Sequence, residues 1–113
     1  MKTRKISWIK VAWKDFEDFP EPAKLEAMRT LTIAAEGSFS DNVKQLKGFE
    51  SGIIEIVLRC RGDAFRVIFA LKIAEDIWVI HAFQKKSKQG IKTPQHEIEL
   101  IRERIKRLKE LLK

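Results

Sequence analysis

IIEIVLRCRGDAFRVIFAL, residues 53–71, decides the fold. Its first half alternates with period two: Ile54, Ile56, Leu58 and Cys60 share one face, while Glu55, Val57, Arg59 and Arg61 share the other. Gly62-Asp63 is a turn signal. The return run places Phe65, Val67, Phe69 and Leu71 on one face and Arg66, Ile68, Ala70 and Lys72 on the other. Two alternating runs about a tight turn make an antiparallel hairpin. Glu75-Asp76 marks the next turn, and Ile77 to Phe83 supplies a third strand, apolar on both faces apart from His81. The central strand of such a meander needs helices over at least one of its faces.

Upstream, Ile6-Ser7-Trp8-Ile9 suits a short strand. Val11, Ala12, Phe16 and Phe19 then fall on one helical stripe that Pro20 ends. Residues 21–36 predict a second helix, with Pro22 in its first turn, Leu25, Met28, Leu31 and Ala35 on its apolar side, and Gly37 at C′. Residues 38–52 read as a loop anchored by Leu46 and Phe49. At the far end, Thr93 suits an N-cap and Pro94 the first helical position. Ile98, Ile101, Ile105, Leu108 and Leu112 follow in a narrow stripe, and Glu103 and Arg107 form an i,i+4 pair. That stripe packs either on the domain's own sheet or against a partner chain, a second copy of this one included. The expected architecture is one α+β domain over residues 1–113, two-layered, in the order β-α-α-β-β-β-α.

The 113 residues carry a formal net charge of +7. Ten of the 23 Lys and Arg, but four of the 16 Asp and Glu, lie in residues 84–113, so the excess is concentrated there. Within HAFQKKSKQGIKTP, residues 81–94, four lysines (Lys85, Lys86, Lys88 and Lys92) occur with no acid among them. Such a surface favours a polyanion or an acidic partner. The single cysteine, Cys60, excludes an internal disulfide and fits a reducing, cytoplasmic setting. No apolar run reaches the roughly 20 residues of a membrane span, and no signal-peptide pattern follows the basic N-terminus. Neither metal-ligand spacing nor a Cys/His nucleophile pair is present, so neither metal nor cofactor is expected.

Strand alternation groups the polar candidates. Arg59 and Arg61 lie on one strand face, Arg66 lies off the Phe-rich side of the next, and His81 with Lys85-Lys86 closes the third. Arginine and lysine can hold a phosphodiester and offset charge that builds on it; a histidine can move a proton near neutrality. Arg61-Gly62-Asp63 spells an adhesion tripeptide but reads as a hairpin turn. From the residues alone, the result is a basic concave sheet surface.

Leu46-Lys47-Gly48, Ile54-Glu55-Ile56, Phe65-Arg66-Val67-Ile68-Phe69, His81-Ala82-Phe83-Gln84-Lys85-Lys86 and Thr93-Pro94, in this order, resemble the RelE/ParE toxin superfamily, in particular its phage-related, HigB-like branch. The resemblance covers nearly the whole chain, and "FRVIFA" and "HAFQKKSKQGIKTP" are its most specific pieces. It implies the toxin of a type II toxin–antitoxin module, with a cognate antitoxin as partner and a ribosome-dependent endoribonuclease activity on mRNA. Arg66 matches the family's phosphate-contacting arginine, Lys86 stands at its catalytic basic position with Lys85 before it, and His81 belongs to the branch's strand signature. Lys47, Arg59, Arg61, Lys88 and Lys92 would hold RNA. Glu55 and Val57 stand where RelE-type enzymes carry lysines, and the chain has no tyrosine to act as a base. The alternatives are a ParE-like toxin that binds gyrase and cuts no RNA, and a phage-derived binding protein without activity.

Overall fold

The computed structural model describes residues 3–86 and 93–113. Eight elements follow one another: β1 (Ile6–Trp8), α1 (Lys10–Glu17), α2 (Glu21–Ala35), β2 (Val43–Gln45), β3 (Ile53–Cys60), β4 (Asp63–Ala70), β5 (Ile77–Lys85) and α3 (Gln95–Leu111). The strands form one sheet in the order β1-β5-β4-β3-β2. β1 runs parallel to β5, and the other pairings are antiparallel. The α+β class and the expected sequence of elements are therefore present, with β2 added.

The β3–β4 hairpin is closed by Arg61 and Gly62, whose φ angles of 54° and 84° are both positive, and Cys60 pairs with Asp63. This is the two-residue connection whose twist matches that of the strands. The turn lies one residue earlier than Gly62-Asp63, because Asp63 already belongs to β4. In β5 the pairing shifts: Ile68 faces His81 whereas Phe69 faces Val79. The extra residue, Ile80, lets Ile80 and His81 both serve the face opposite α1 and α2.

Two apolar clusters use the two faces of the sheet. On one, Ile54, Ile56, Leu58, Phe65, Val67, Phe69 and Val79 pack against Ala12 and Phe16 of α1 and Ala23, Ala27, Leu31 and Ala34 of α2. On the other, Ile53, Ile68, Ala70 and Ile80 pack against Ile101, Ile105 and Leu108 of α3. The helices thus sandwich the sheet instead of lying in one layer over it, and Ile101, Ile105 and Leu108 of the α3 stripe pack on the chain's own sheet, while Ile98 lines a groove and Leu112 is exposed.

Three local expectations change. Leu25 and Val11 are exposed, since α2 buries its alanine side and α1 buries Ala12 and Phe16. Small side chains let a helix approach a sheet closely, so this stripe carries little of the hydropathy that marks a buried face. Residues 43–45 are strand because Val43, Lys44 and Gln45 pair with Ile56, Glu55 and Ile54. The Gln45 side chain then closes the following loop, accepting from the Gly52 amide at 3.0 Å and donating to the Glu50 carbonyl at 2.9 Å. Thr93 does not cap α3; its hydroxyl is spent on Glu55. The expected Gly37 stop does occur: φ is 95°, and the amides of Gly37 and Ser38 bond the carbonyls of Ala34 and Ile33.

Ile101→Ala is expected to destabilise the chain by about 2–5 kcal/mol, because Ile101 is fully buried between α3 and the sheet. Leu111→Ala, at an 80% exposed position, is expected to stay within about 0.5 kcal/mol of the parent. Urea unfolding of both variants measures whether the stripe stabilises the chain itself.

Candidate nucleic-acid interface

The second face of the sheet is apolar at the end that α3 covers and charged at the other. Register sets the charged part. Val57 lies opposite Arg66, Arg66 opposite Phe83, Glu55 opposite Ile68 and Lys85 opposite Ala64, so Glu55, Arg66 and Lys85 all project to this face from adjacent strands. They are 1%, 2% and 6% exposed respectively. Burying a charge costs several kcal/mol unless it is paired. Glu55 supplies the pairing: one oxygen lies 3.6 Å from Lys44 Nζ, and the other lies 3.5 Å from Arg66 NH1 and accepts from the Thr93 hydroxyl at 2.9 Å.

The pairing of Arg66 is by charge more than by geometry. Its Nε and NH1 are buried and make no hydrogen bond, although NH1 stands within ion-pair distance of Glu55. An arginine that met a carboxylate ideally would make two short parallel bonds. Burial, followed by the neighbouring Arg66 guanidinium, pushes the Lys85 ammonium below the ordinary lysine range; Glu55 opposes that shift, and Lys44 and Arg59 add to it. Lys44 and Thr93 also line a groove of about 840 Å³ that runs from β2 to the start of α3. Leu46 and Ile98 are apolar members of its wall, and Lys47 and Arg102 are its further cations. Arg102 is held over the Phe49 ring at 4.4 Å and donates to the Gly48 carbonyl.

Of the residues expected from the sequence, Arg66 and Lys85 come together, with exposed Arg59 close enough to act on Lys85. Lys47 lies on the groove. Arg61 is exposed in the hairpin turn. Lys86 does not join Lys85. It lines a separate cleft of about 330 Å³ together with His81, Asp15, Asp18, Glu97 and Arg104. Lys85 is the last residue of β5 and Lys86 lies beyond it, and the pair divides: Lys85 is buried near Arg66, and Lys86 lines the cleft. Lys88 and Lys92 lie outside the described residues.

His81 is held elsewhere in the same face. Its Nε2 lies 2.6 Å from Glu97 Oε1, and its Nδ1 meets Arg104 NH1, which also donates to the Ile80 carbonyl. A guanidinium can only donate, so Nδ1 accepts and the proton sits on Nε2, directed at Glu97. Both nitrogens are engaged. The ring joins β5 to two residues of α3 and has no nitrogen left for substrate in this arrangement. Burial pushes its pKa below 6.5; the hydrogen bond that Nε2 donates to Glu97 resists, and Arg104 adds to the lowering.

Sequence reasoning passed over Glu55, Lys44, Thr93, Glu97 and Arg104. Glu55 had a usable signal: the alternation that places Arg66 off the Phe-rich side also places Glu55 off the Ile-rich side one strand away. Lys44 was hidden inside the stretch taken for a loop, and Glu97 and Arg104 require the docking angle of α3.

Three comparisons bear on this geometry. A family model described as "Phage derived protein Gp49-like (DUF891)" matches residues 14–106. Among solved structures, the chain is similar to a free double-arginine-to-alanine variant of the Escherichia coli toxin RelE, with TM-score 0.63 and 16% identity over 94% of this chain and 98% of that one. It is also similar to a chain of the RelB–RelE antitoxin–toxin complex from Methanococcus jannaschii, with TM-score 0.54 and 15% identity over 71% and 91%. No curated protein matches significantly. The fold is that of RelE. Among the described residues, no helix is long and apolar enough to cross a membrane, and no group of three or more His, Cys, Asp or Glu side chains could hold a metal ion.

The His81 environment gives stability a pH dependence of definite sign. Its folded-state pKa is lowered, so below about pH 6.5 the unfolded chain binds the proton more readily than the folded one. Stability is expected to fall as pH drops through that value and to level off once pH lies below the folded-state pKa. His81→Gln is expected to remove this component, as measured by urea unfolding between pH 8 and pH 5.

Proposed function

The chain belongs to the phage-derived Gp49-like family, and from that premise we propose that it is the toxin of a two-protein toxin–antitoxin module, a ribosome-dependent endoribonuclease acting on mRNA. The observation that carries the reading is the pairing of Arg66 and Lys85, two cations buried side by side on one face of the sheet. Packing does not call for such a pair, and perturbed groups of this kind gather at functional sites.

In the proposed reaction the 2′-hydroxyl attacks the adjacent phosphorus and the bond to the 5′-oxygen breaks, leaving a cyclic phosphate and a 5′-hydroxyl. Arg66 offsets the charge that grows on the non-bridging oxygens. Lys85 takes the proton of the 2′-hydroxyl in its neutral form, which a lowered pKa makes more abundant near neutral pH. Solvent returns a proton to the departing oxygen. Arg59 and Lys47, both exposed, hold flanking phosphates. Arg66 is 2% exposed in the free chain, which fits an enzyme that acts once the ribosome positions the message against it.

The antitoxin is proposed to lay an arm along the groove between β2 and α3, where Lys44, Lys47 and Arg102 surround Leu46 and Ile98. The second reading, a gyrase-binding toxin that cuts no RNA, draws on one specific observation: Glu55 already neutralises part of the cluster that would grip a phosphate.

Primer extension on mRNA from expressing cells separates the two. The nuclease reading expects in-frame cleavage sites that vanish with Arg66→Ala. Growth arrest with DNA damage and intact message would favour gyrase. With purified ribosomes, cleavage is expected to rise with pH to an inflection below the ordinary lysine value of about 10.4, and Lys85→Arg is expected to remove that rise.

A further inference from the structure

We propose that Glu55 is a resident anion that keeps the cluster closed: its carboxylate occupies, between Lys44, Arg66 and Thr93, the place that a phosphodiester group takes when substrate enters. The identity of the ligand rests on the nuclease reading; the anion site itself does not.

Three features point the same way. The first is coordination. Donors from β2, β4 and the start of α3 converge on the two oxygens of one side chain, at 3.6, 3.5 and 2.9 Å. A Lys, an Arg and a hydroxyl around one oxyanion is the donor set used for phosphate. The second is misfit. Arg66 keeps two buried nitrogens, Nε and NH1, without hydrogen bonds. The Glu55 oxygen 3.5 Å from NH1 does not meet it as a hydrogen bond. A phosphodiester is not tethered to the strand, so a non-bridging oxygen can approach a nitrogen that the carboxylate leaves bare. The third is access. Glu55, Lys44 and Thr93 line the groove of about 840 Å³, with Lys47 and Arg102 along it. A strand lying in that groove brings its phosphates to the carboxylate. The displaced Glu55 can follow Lys44, whose side chain is 46% exposed, toward solvent.

This arrangement makes opening conditional. If Glu55 swings out with nothing in its place, Arg66 loses the carboxylate 3.5 Å from it, which is costly for a buried cation. If a phosphate enters as the carboxylate leaves, the charge balance is kept. The site therefore opens against a polyanion and stays shut against neutral or singly held ligands. It also explains a glutamate at a position where a lysine would bind RNA more tightly: affinity is traded for a surface that does not hold stray anions.

The test is binding of inorganic phosphate at constant ionic strength, followed by thermal unfolding and by titration calorimetry, in the full chain. Glu55→Gln keeps the size and removes the charge. It is expected to melt below the parent in chloride, to recover with phosphate, and to bind phosphate at least about tenfold more tightly than the parent does. Glu55→Asp, which keeps the charge but withdraws it from Arg66, is expected to fall between the two and serves if the glutamine variant does not fold. Adding Arg66→Gln to either variant is expected to abolish the phosphate response. Equal phosphate binding by the parent and both variants, or a response that survives loss of Arg66, would overturn the proposal and leave Glu55 a structural counter-ion. None of these readouts requires RNA cleavage, so a protein that binds phosphate as expected but leaves message intact would contradict the nuclease reading alone.

Discussion

Everything distinctive in this molecule depends on how a buried carboxylate and two buried cations share one sheet face. Glu55, Arg66 and Lys85 are each almost fully enclosed. None could be placed there singly, because an isolated ion in a protein interior forfeits most of its hydration energy. Together, with Lys44 and Thr93 as further donors to Glu55, they form one coupled group in which a single carboxylate faces several cations. The hairpin register that brings Glu55 and Arg66 onto adjacent strands is thus also the register that makes the site affordable.

The two ends of the same sheet face do different work. At one end, Ile101, Ile105 and Leu108 bind α3 through ordinary apolar burial. Nearer its start, α3 is tied by Glu97 and Arg104 to His81, and at its other flank Arg102 rests on Phe49 and Lys109 reaches Glu50 at 2.6 Å. The helix is therefore held by a firm apolar strip with polar ties around it. One of those ties contains a histidine whose pKa burial lowers. The groove beside the charged cluster has α3 as one of its walls, so the strength of these ties bears on how easily the groove admits a strand.

Much of the fold was legible in the sequence because its signals are local. Period-two alternation in residues 53–71 placed the core face and the polar face correctly, the left-handed stop at Gly37 was readable from one residue, and the α3 stripe announced its own buried side. The failures share a cause. Short β2 carries no periodic signal and exists because β3 offers an edge to pair with. The alanine face of α2 looks weakly apolar yet packs closely. The bulge at Ile80 breaks the alternation that sequence reasoning assumes. For the site, residue type alone does not tell Arg66 and Lys85 from Lys86 and His81, since what separates them is direction and partners. Lys86 turns toward Asp15 and Asp18, and His81 is consumed in tying down a helix. Glu55 looked like a departure from the family's pattern, whereas in the folded chain it is the residue that the cluster is built around.

The most direct measurement of this account is a double-mutant cycle on Glu55 and Arg66, with stability read from urea unfolding of Glu55→Gln, Arg66→Gln and the double variant. If the two side chains hold each other, each single change leaves a buried charge uncompensated and costs about 3–5 kcal/mol. The double change then costs less than the sum by at least about 1 kcal/mol. Strictly additive losses would mean that the carboxylate and the guanidinium are buried independently, and the picture of one coupled site would be wrong.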